Sequence, residues 1–204
     1  MSTTNNSKPR GRPRRFDPQD GIAKAQALFH ERGYDAVSVT DVTKALGINP
    51  PSFYAAFGSK ADLYAQVLDR WSQTGAIPMT EILREDRPVA EALVSLLEDA
   101  ARRYASGCDG QGCLVIEGTR SNDADARDVA CALNTAAEKL IRDYIARRHP
   151  EQAGPLTDFV STTMTGLSAK ARNGYSLDQL LGTARLAGTA IDLALGGDTG
   201  ARVE

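Results

Sequence analysis

A chain of 204 residues, 42% hydrophobic and 25% charged, has the composition of a folded globular protein and excludes collagen-like, low-complexity and wholly disordered classes. The formal net charge of -2 conceals an asymmetry: residues 1–70 hold ten Lys/Arg against seven Asp/Glu, and residues 71–204 hold fourteen against nineteen. A basic front on a mildly acidic body implies that one end of the molecule meets a polyanion.

The first fifteen residues carry Lys8, Arg10, Arg12, Arg14 and Arg15, with no acidic side chain and no apolar stretch. They read as a disordered basic arm and not as a secretory signal. Asp17-Pro18 is an N-cap followed by proline at the first helical position. Ile22, Ala25, Leu28 and Phe29 then recur at helical spacing until Gly33 ends the helix. Ser38 caps a short second helix carrying Val39, Val42, Ala45 and Leu46, and Gly47 ends it. Asn49 caps a third, with Pro50 at its first position and Phe53, Tyr54 and Phe57 on its buried side. Ser59 caps a longer fourth helix with Leu63, Tyr64, Val67, Leu68 and Trp71.

The remainder is also helical. Asp86 starts a helix with Val89, Leu93, Leu96, Leu97, Ala100 and Tyr104 on one face. Ser106–Gly112 is a glycine-rich loop, and Cys113–Ile116 makes one or two turns. Asp123–Arg148 is a long helix, and Thr157–Arg172 and Ser176–Leu195 are the last two. No segment alternates with period two, so the predicted fold is all-α with about nine helices. The longest apolar run, Leu186–Leu195, contains Thr189 and Asp192 and falls short of the roughly 20 residues a membrane helix needs. Cys108, Cys113 and Cys131 are an odd number at no zinc-ligand spacing. A disulfide scaffold, a metal site and a resident cofactor are therefore not expected, and a reducing cytoplasm is the natural compartment.

Helices two and three, joined by Gly47-Ile48-Asn49, form a helix-turn-helix. Glycine suits the turn because it tolerates left-handed backbone angles. The third helix opens with small side chains, Asn49 to Ser52, so its N-terminal turn can approach bases in a major groove.

Residues 16–70 resemble the DNA-binding domain of the TetR family of bacterial transcriptional regulators. The resemblance runs through Ile22-Ala23, Leu28-Phe29, Gly33 to Val39, Ala45 to Ile48, Ser52-Phe53-Tyr54 and Phe57 to Leu63. It implies three parts: a basic arm (1–15), a helix-turn-helix domain (16–63) and an effector-binding and dimerisation domain (64–204). It implies that Thr40 and Tyr54 hydrogen-bond phosphates and that Lys60 contacts the backbone as a point charge. Asn49, Pro50, Pro51 and Ser52 occupy the groove-facing start of the third helix. Many members carry a polar residue where Pro50 stands, and His or Tyr where Ala55 and Ala56 stand. Base readout here is expected to rest on apolar contact with thymine methyls, on Ser52, and on the arm. Arg10-Gly11-Arg12-Pro13 is the core of an AT-hook, suited to narrow A·T-rich minor grooves; Arg14 and Arg15 extend its charge.

In the second domain, Trp71, Met79, Tyr104, Phe159 and Met164 either line an effector pocket, apolar or aromatic in taste, or are plain core. Gly112-Cys113-Leu114 resembles an element in a branch of the family that includes electrophile- and oxidant-responsive repressors. Cys113 is accordingly either a sensor thiol on the pocket, with its pKa lowered by the helix start, or packing under that start. Cys108 is a candidate resolving thiol, and Cys131 reads as core. The small residues of the last two helices (Gly166, Ala169, Ala171, Gly182, Ala184, Ala187, Gly188, Ala190) permit close approach; the resemblance implies a four-helix homodimer interface there. His30 and His149 lie on charged, exposed helix ends, and no catalytic constellation surrounds a serine, so an enzyme is not expected. The expected function is a repressor released from a palindromic double-stranded operator by a small effector. The alternatives are a thiol-sensing repressor acting through Cys113 and a constitutive architectural DNA binder.

Overall fold

A computed structural model describes residues 16–106 and 112–196. Ten helices run through them: α1 (Pro18–Arg32), α2 (Val39–Leu46), α3 (Pro50–Phe57), α4 (Lys60–Thr74), α5 (Met79–Ile82), α6 (Val89–Ala105), α7 (Leu114–Gly118), α8 (Ala124–Ala146), α9 (Ala153–Arg172) and α10 (Leu177–Ala194). The described residues contain no strand. None of their helices is long and apolar enough to cross a membrane, and no group of three or more His, Cys, Asp or Glu among them is placed to hold a metal.

Capping chemistry sets the first four helices. Asp17, Ser38, Asn49 and Ser59 each accept a backbone N–H from the first turn they precede. At Ser38 and Ser59 the bond is reciprocated by Asp41 and Asp62, so two backbone donors are satisfied at once. Gly47 closes α2 in the left-handed region at φ 68°, where a side chain would strain the backbone.

Two helix starts differ from expectation, and one short helix was not expected. α6 begins at Val89, because Asp86 is engaged by the Arg84 guanidinium (Nε–Oδ1 2.9 Å) and Pro88 disfavours helical angles at Arg87. α9 begins at Ala153, four residues earlier than the Thr157 start, because Pro155 lies in the first turn, where no amide hydrogen is needed. The short α5 has no sequence signal beyond Pro78 and carries no side-chain cap.

Two cores form. In the front one, Phe29, Val42, Phe53, Leu63, Val67 and Leu68 are fully buried, and Leu114, Ala126 and Ala130 of α7 and α8 join them. The back core centres on α6, whose Ala92, Leu93, Leu96, Leu97 and Ala100 are fully buried against α9 and α10. Burying each such leucine contributes about 1.5–3 kcal/mol. At Gly188 α10 packs tightly on α6: a Cβ there would lie 2.6 Å from Val94 Cγ2.

Polar contacts stitch the front unit to the rest. Tyr34 Oη donates to Asp123 Oδ2 at 2.7 Å, and the Asn122 amide donates to the Asp35 carboxylate at 3.1 Å. Tyr64 Oη donates to the Leu114 carbonyl at 3.2 Å. Burial, then the Asp123 acceptor, push the Tyr34 phenol well above its ordinary pKa, so the donor stays protonated.

Candidate nucleic-acid interface and effector cavity

α2 and α3 are short and are held by the buried side chains Val42, Leu46, Phe53 and Phe57. What remains outward on α3 is Pro50, Pro51, Ser52, Tyr54, Ala55 and Ala56, all exposed and all uncharged. A convex strip of this kind can enter a major groove with little desolvation cost and touch methyl groups. Tyr54 is 55% exposed, so it does not belong to the buried side with Phe53 and Phe57; its ring and that of Phe53 meet edge to face. Thr40 is exposed in the first turn of α2. Asn49 is exposed, but its Oδ1 accepts the Ser52 amide at 2.9 Å and serves its own helix. Arg10, Arg12, Arg14 and Arg15 lie outside the described residues.

Lys60 differs from a free point charge. Its ammonium donates to the carbonyls of Tyr34 (3.1 Å) and Val37 (2.9 Å) and sits 3.8 Å from the Tyr34 ring centroid. Burial lowers its pKa, and Asp35 and Asp123 oppose that shift. The family resemblance implies a phosphate contact for it; its bonds here hold the α1–α2 loop, and with it the N-terminus of α2. Lys60→Ala removes the donor from two part-buried carbonyls and is expected to lower stability by about 1–2 kcal/mol, read by thermal or urea unfolding. Unchanged stability would return Lys60 to solvent and to a phosphate role.

Behind this unit lies a cavity of about 480 Å³ between the end of α4, α5, α6, α7 and α8. Trp71, Met79, Tyr104, Cys113 and Met164 line it. Phe159 does not: it is 39% exposed on the outer face of α9. Leu133, Asn134 and Leu140 of α8 were missed as wall residues. Leu133 and Leu140 recur at helical spacing like core residues, and spacing alone does not separate wall from core.

Of the two readings of Cys113, the structure fits packing under the helix start better than a sensor thiol. The Cys113 thiol is pushed up in pKa, chiefly by burial, which outweighs the α7 amides of Ile116 and Val115 and the Tyr104 hydroxyl. A lowered, reactive thiol is therefore not what the resting fold provides. Cys131 is half-buried on α8 and not core, and Cys108 lies outside the described residues. His30, expected on an exposed helix end, is buried at 8% exposure. Its Nε2–H donates to the Gly112 carbonyl at 3.1 Å, and its pKa is lowered by burial above all.

Residues 22–67 match the family model for bacterial regulatory proteins of the tetR family. The chain is 56% identical over 195 residues to the HTH-type transcriptional repressor BdcR of Escherichia coli K12, covering 96% of this chain and 99% of that protein. It is 30% identical over 197 residues to the repressor ComR of the same organism, covering 91% and 92%. Among solved structures, a cysteine mutant of the TetR family regulator CifR in complex with 26 bp double-strand operator DNA superposes with a TM-score of 0.78 at 28% identity, covering 88% of this chain and 99% of that one. With its helix-turn-helix front and helical back, the chain belongs to the TetR family of DNA-binding bacterial transcriptional regulators.

Proposed function

We propose that this chain is a homodimeric repressor that holds a palindromic operator and is released from it by a small, uncharged effector. The observation that carries this reading is the pairing of two features: an exposed, uncharged reading helix, and an apolar cavity bonded to the same α1–α4 unit. The repressor names of the two E. coli relatives support the direction of control. The reading is of a regulator and not an enzyme, acting on DNA in the cytoplasm.

In this reading, Thr40 and Tyr54 contact phosphates, while Pro50, Pro51 and Ser52 meet base edges. Asn49 sets the start of α3 and offers only its amide nitrogen to DNA. Lys60 acts by positioning the α1–α2 loop. Arg10, Arg12, Arg14 and Arg15 follow the flanking minor groove. The working division is an arm (1–15), a reading domain (16–63) and an effector and dimer domain (64–204). Phe159, Leu186 and Leu193 are exposed apolar side chains on α9 and α10, at 39%, 73% and 76%, and they face the second copy. The raised pKa of Cys113 favours a non-covalent effector over thiol sensing. A cavity bonded to the reading unit is superfluous in a constitutive architectural binder.

The test is selection of bound DNA from a random pool, followed by a screen for compounds that release the selected site. A palindromic consensus and at least one releasing uncharged compound are the expected results. A pool with no preferred sequence after selection would overturn the regulator reading.

A further inference from the structure

The chemistry of the cavity wall narrows the effector. Among the described lining residues, Arg103 is the charged one. Its guanidinium is already held by Asp99 on the same helix, at 2.5 Å, with a second nitrogen 3.5 Å from the Gly75 carbonyl. An ionised ligand would find no uncommitted counter-charge among these residues and would give up hydration against a largely apolar wall. An uncharged aromatic molecule loses little and gains contact with Trp71, Met79, Leu133 and Leu140.

Trp71 does more than form wall. Its indole also meets the His30 imidazole edge-on, with ring centroids 4.8 Å apart and planes at 69°. His30 belongs to α1, in the DNA-reading unit. A carbonyl only accepts, so the His30 Nε2 that bonds Gly112 carries the proton. The Gly112 N–H in turn donates to the Tyr104 carbonyl at 3.1 Å, and Gly112 precedes Cys113. Tyr104 and Cys113 line the same cavity. His30 therefore touches the cavity wall by two routes, ring to ring through Trp71 and through the single Gly112 peptide. Arg172 of α9 donates to the His30 carbonyl at 3.0 Å and fixes the end of α1.

The indole has no retreat along α4. It lies so close to Gly75 that a Cβ there would sit 2.4 Å from the ring. Close-packed interiors do not absorb such a push; they shift to a second arrangement.

We propose that Trp71 and His30 are the element that reads this cavity: an uncharged aromatic ligand packing on the Trp71 indole drives it against His30 and breaks or lengthens the His30–Gly112 hydrogen bond that ties α1 to the cavity wall. The proposal rests on the ligand-responsive reading above. By linkage, a ligand that weakens that bond must bind more tightly where the bond is absent.

The test uses the full chain with N-phenyl-1-naphthylamine, an uncharged aromatic amine that accepts energy from tryptophan. Trp71 is the sole tryptophan, and His30 and His149 are the two histidines, so both sides of the contact have assignable signals. Expected is saturable quenching of Trp71 emission, movement of the His30 imidazole resonances, and still resonances for His149. His30→Phe keeps a ring but lacks the donor, and should tighten probe binding about fivefold or more. His30→Gln, which restores a donor, should return it toward wild type. Quenching with unmoved His30 resonances in the wild-type protein, or with equal affinity in a folded His30→Phe variant, overturns the proposal and leaves the ligand-responsive reading standing. Absence of binding, with Trp71 emission unchanged, overturns both.

Discussion

Leu186→Glu combined with Leu193→Glu should yield a monomer of 21.8 kDa in place of a dimer of twice that mass. Both leucines stand out from α10, at 73% and 76% exposure, beside small residues such as Gly182 and Ala190 that allow a close approach. In a two-fold interface the same face meets itself, so both copies would bring carboxylates into the seam, four in all. Removing either side chain from its apolar partner also forfeits burial worth about 1.5–3 kcal/mol per leucine. The fold should survive, since neither leucine belongs to the back core. One helix-turn-helix alone reads half a palindrome, so specific affinity should fall at least about 1000-fold, to the non-specific level. Light scattering coupled to size separation reads the mass, and titration of the selected site reads the affinity. A variant that stays dimeric would place the interface elsewhere.

Deleting residues 1–15 should weaken DNA binding while leaving the dimer intact. The segment has five positive charges and no acidic residue. If every charge neutralises a phosphate, the slope of log affinity against log salt should become shallower by up to about 4.5 per chain. Insertion of Arg10 and Arg12 into a minor groove adds a dependence on flanking A·T pairs. Affinity measured against salt, on two operators that differ only in their flanks, separates the two effects. Equal losses on both flanks would leave the electrostatic role and remove the groove role. An unchanged slope would remove both.

Local chemistry made the front of the molecule legible. Asp17, Ser38, Asn49 and Ser59 cap their helices within three residues of themselves, and Gly33 and Gly47 end theirs at positive φ. Such signals need no knowledge of tertiary structure. His30 was illegible for the opposite reason. A histidine near a helix end, beside Glu31 and Arg32, reads as solvated, and the carbonyl that buries it is 82 residues away. Lys60 misled in the same way, because the two carbonyls it serves belong to a loop more than 20 residues earlier. Trp71, Tyr104 and Met164 were legible as large apolar groups, but their spacing could not separate wall from core. Phe159 has the same chemistry and faces outward, because α9 turns its buried stripe through Leu156, Val160 and Met164 toward α6.

The front core does not stop where the reading helices stop. Leu114, Ala126 and Ala130 complete the surface beneath Phe29, Tyr64 and Leu68, and Gly118 leaves room for the Tyr64 hydroxyl, which would lie 2.5 Å from a Cβ there. Exchange of heads between relatives is thereby constrained. A recombination joint placed after residue 70 would set a foreign socket under Tyr64 and a foreign plug against Gly118. The lineage can vary its outward residues on α3 freely, and so drift from one operator to another, while the socket stays matched to the plug. New specificities on this scaffold should therefore arise by point substitution on the reading helix more readily than by shuffling whole heads.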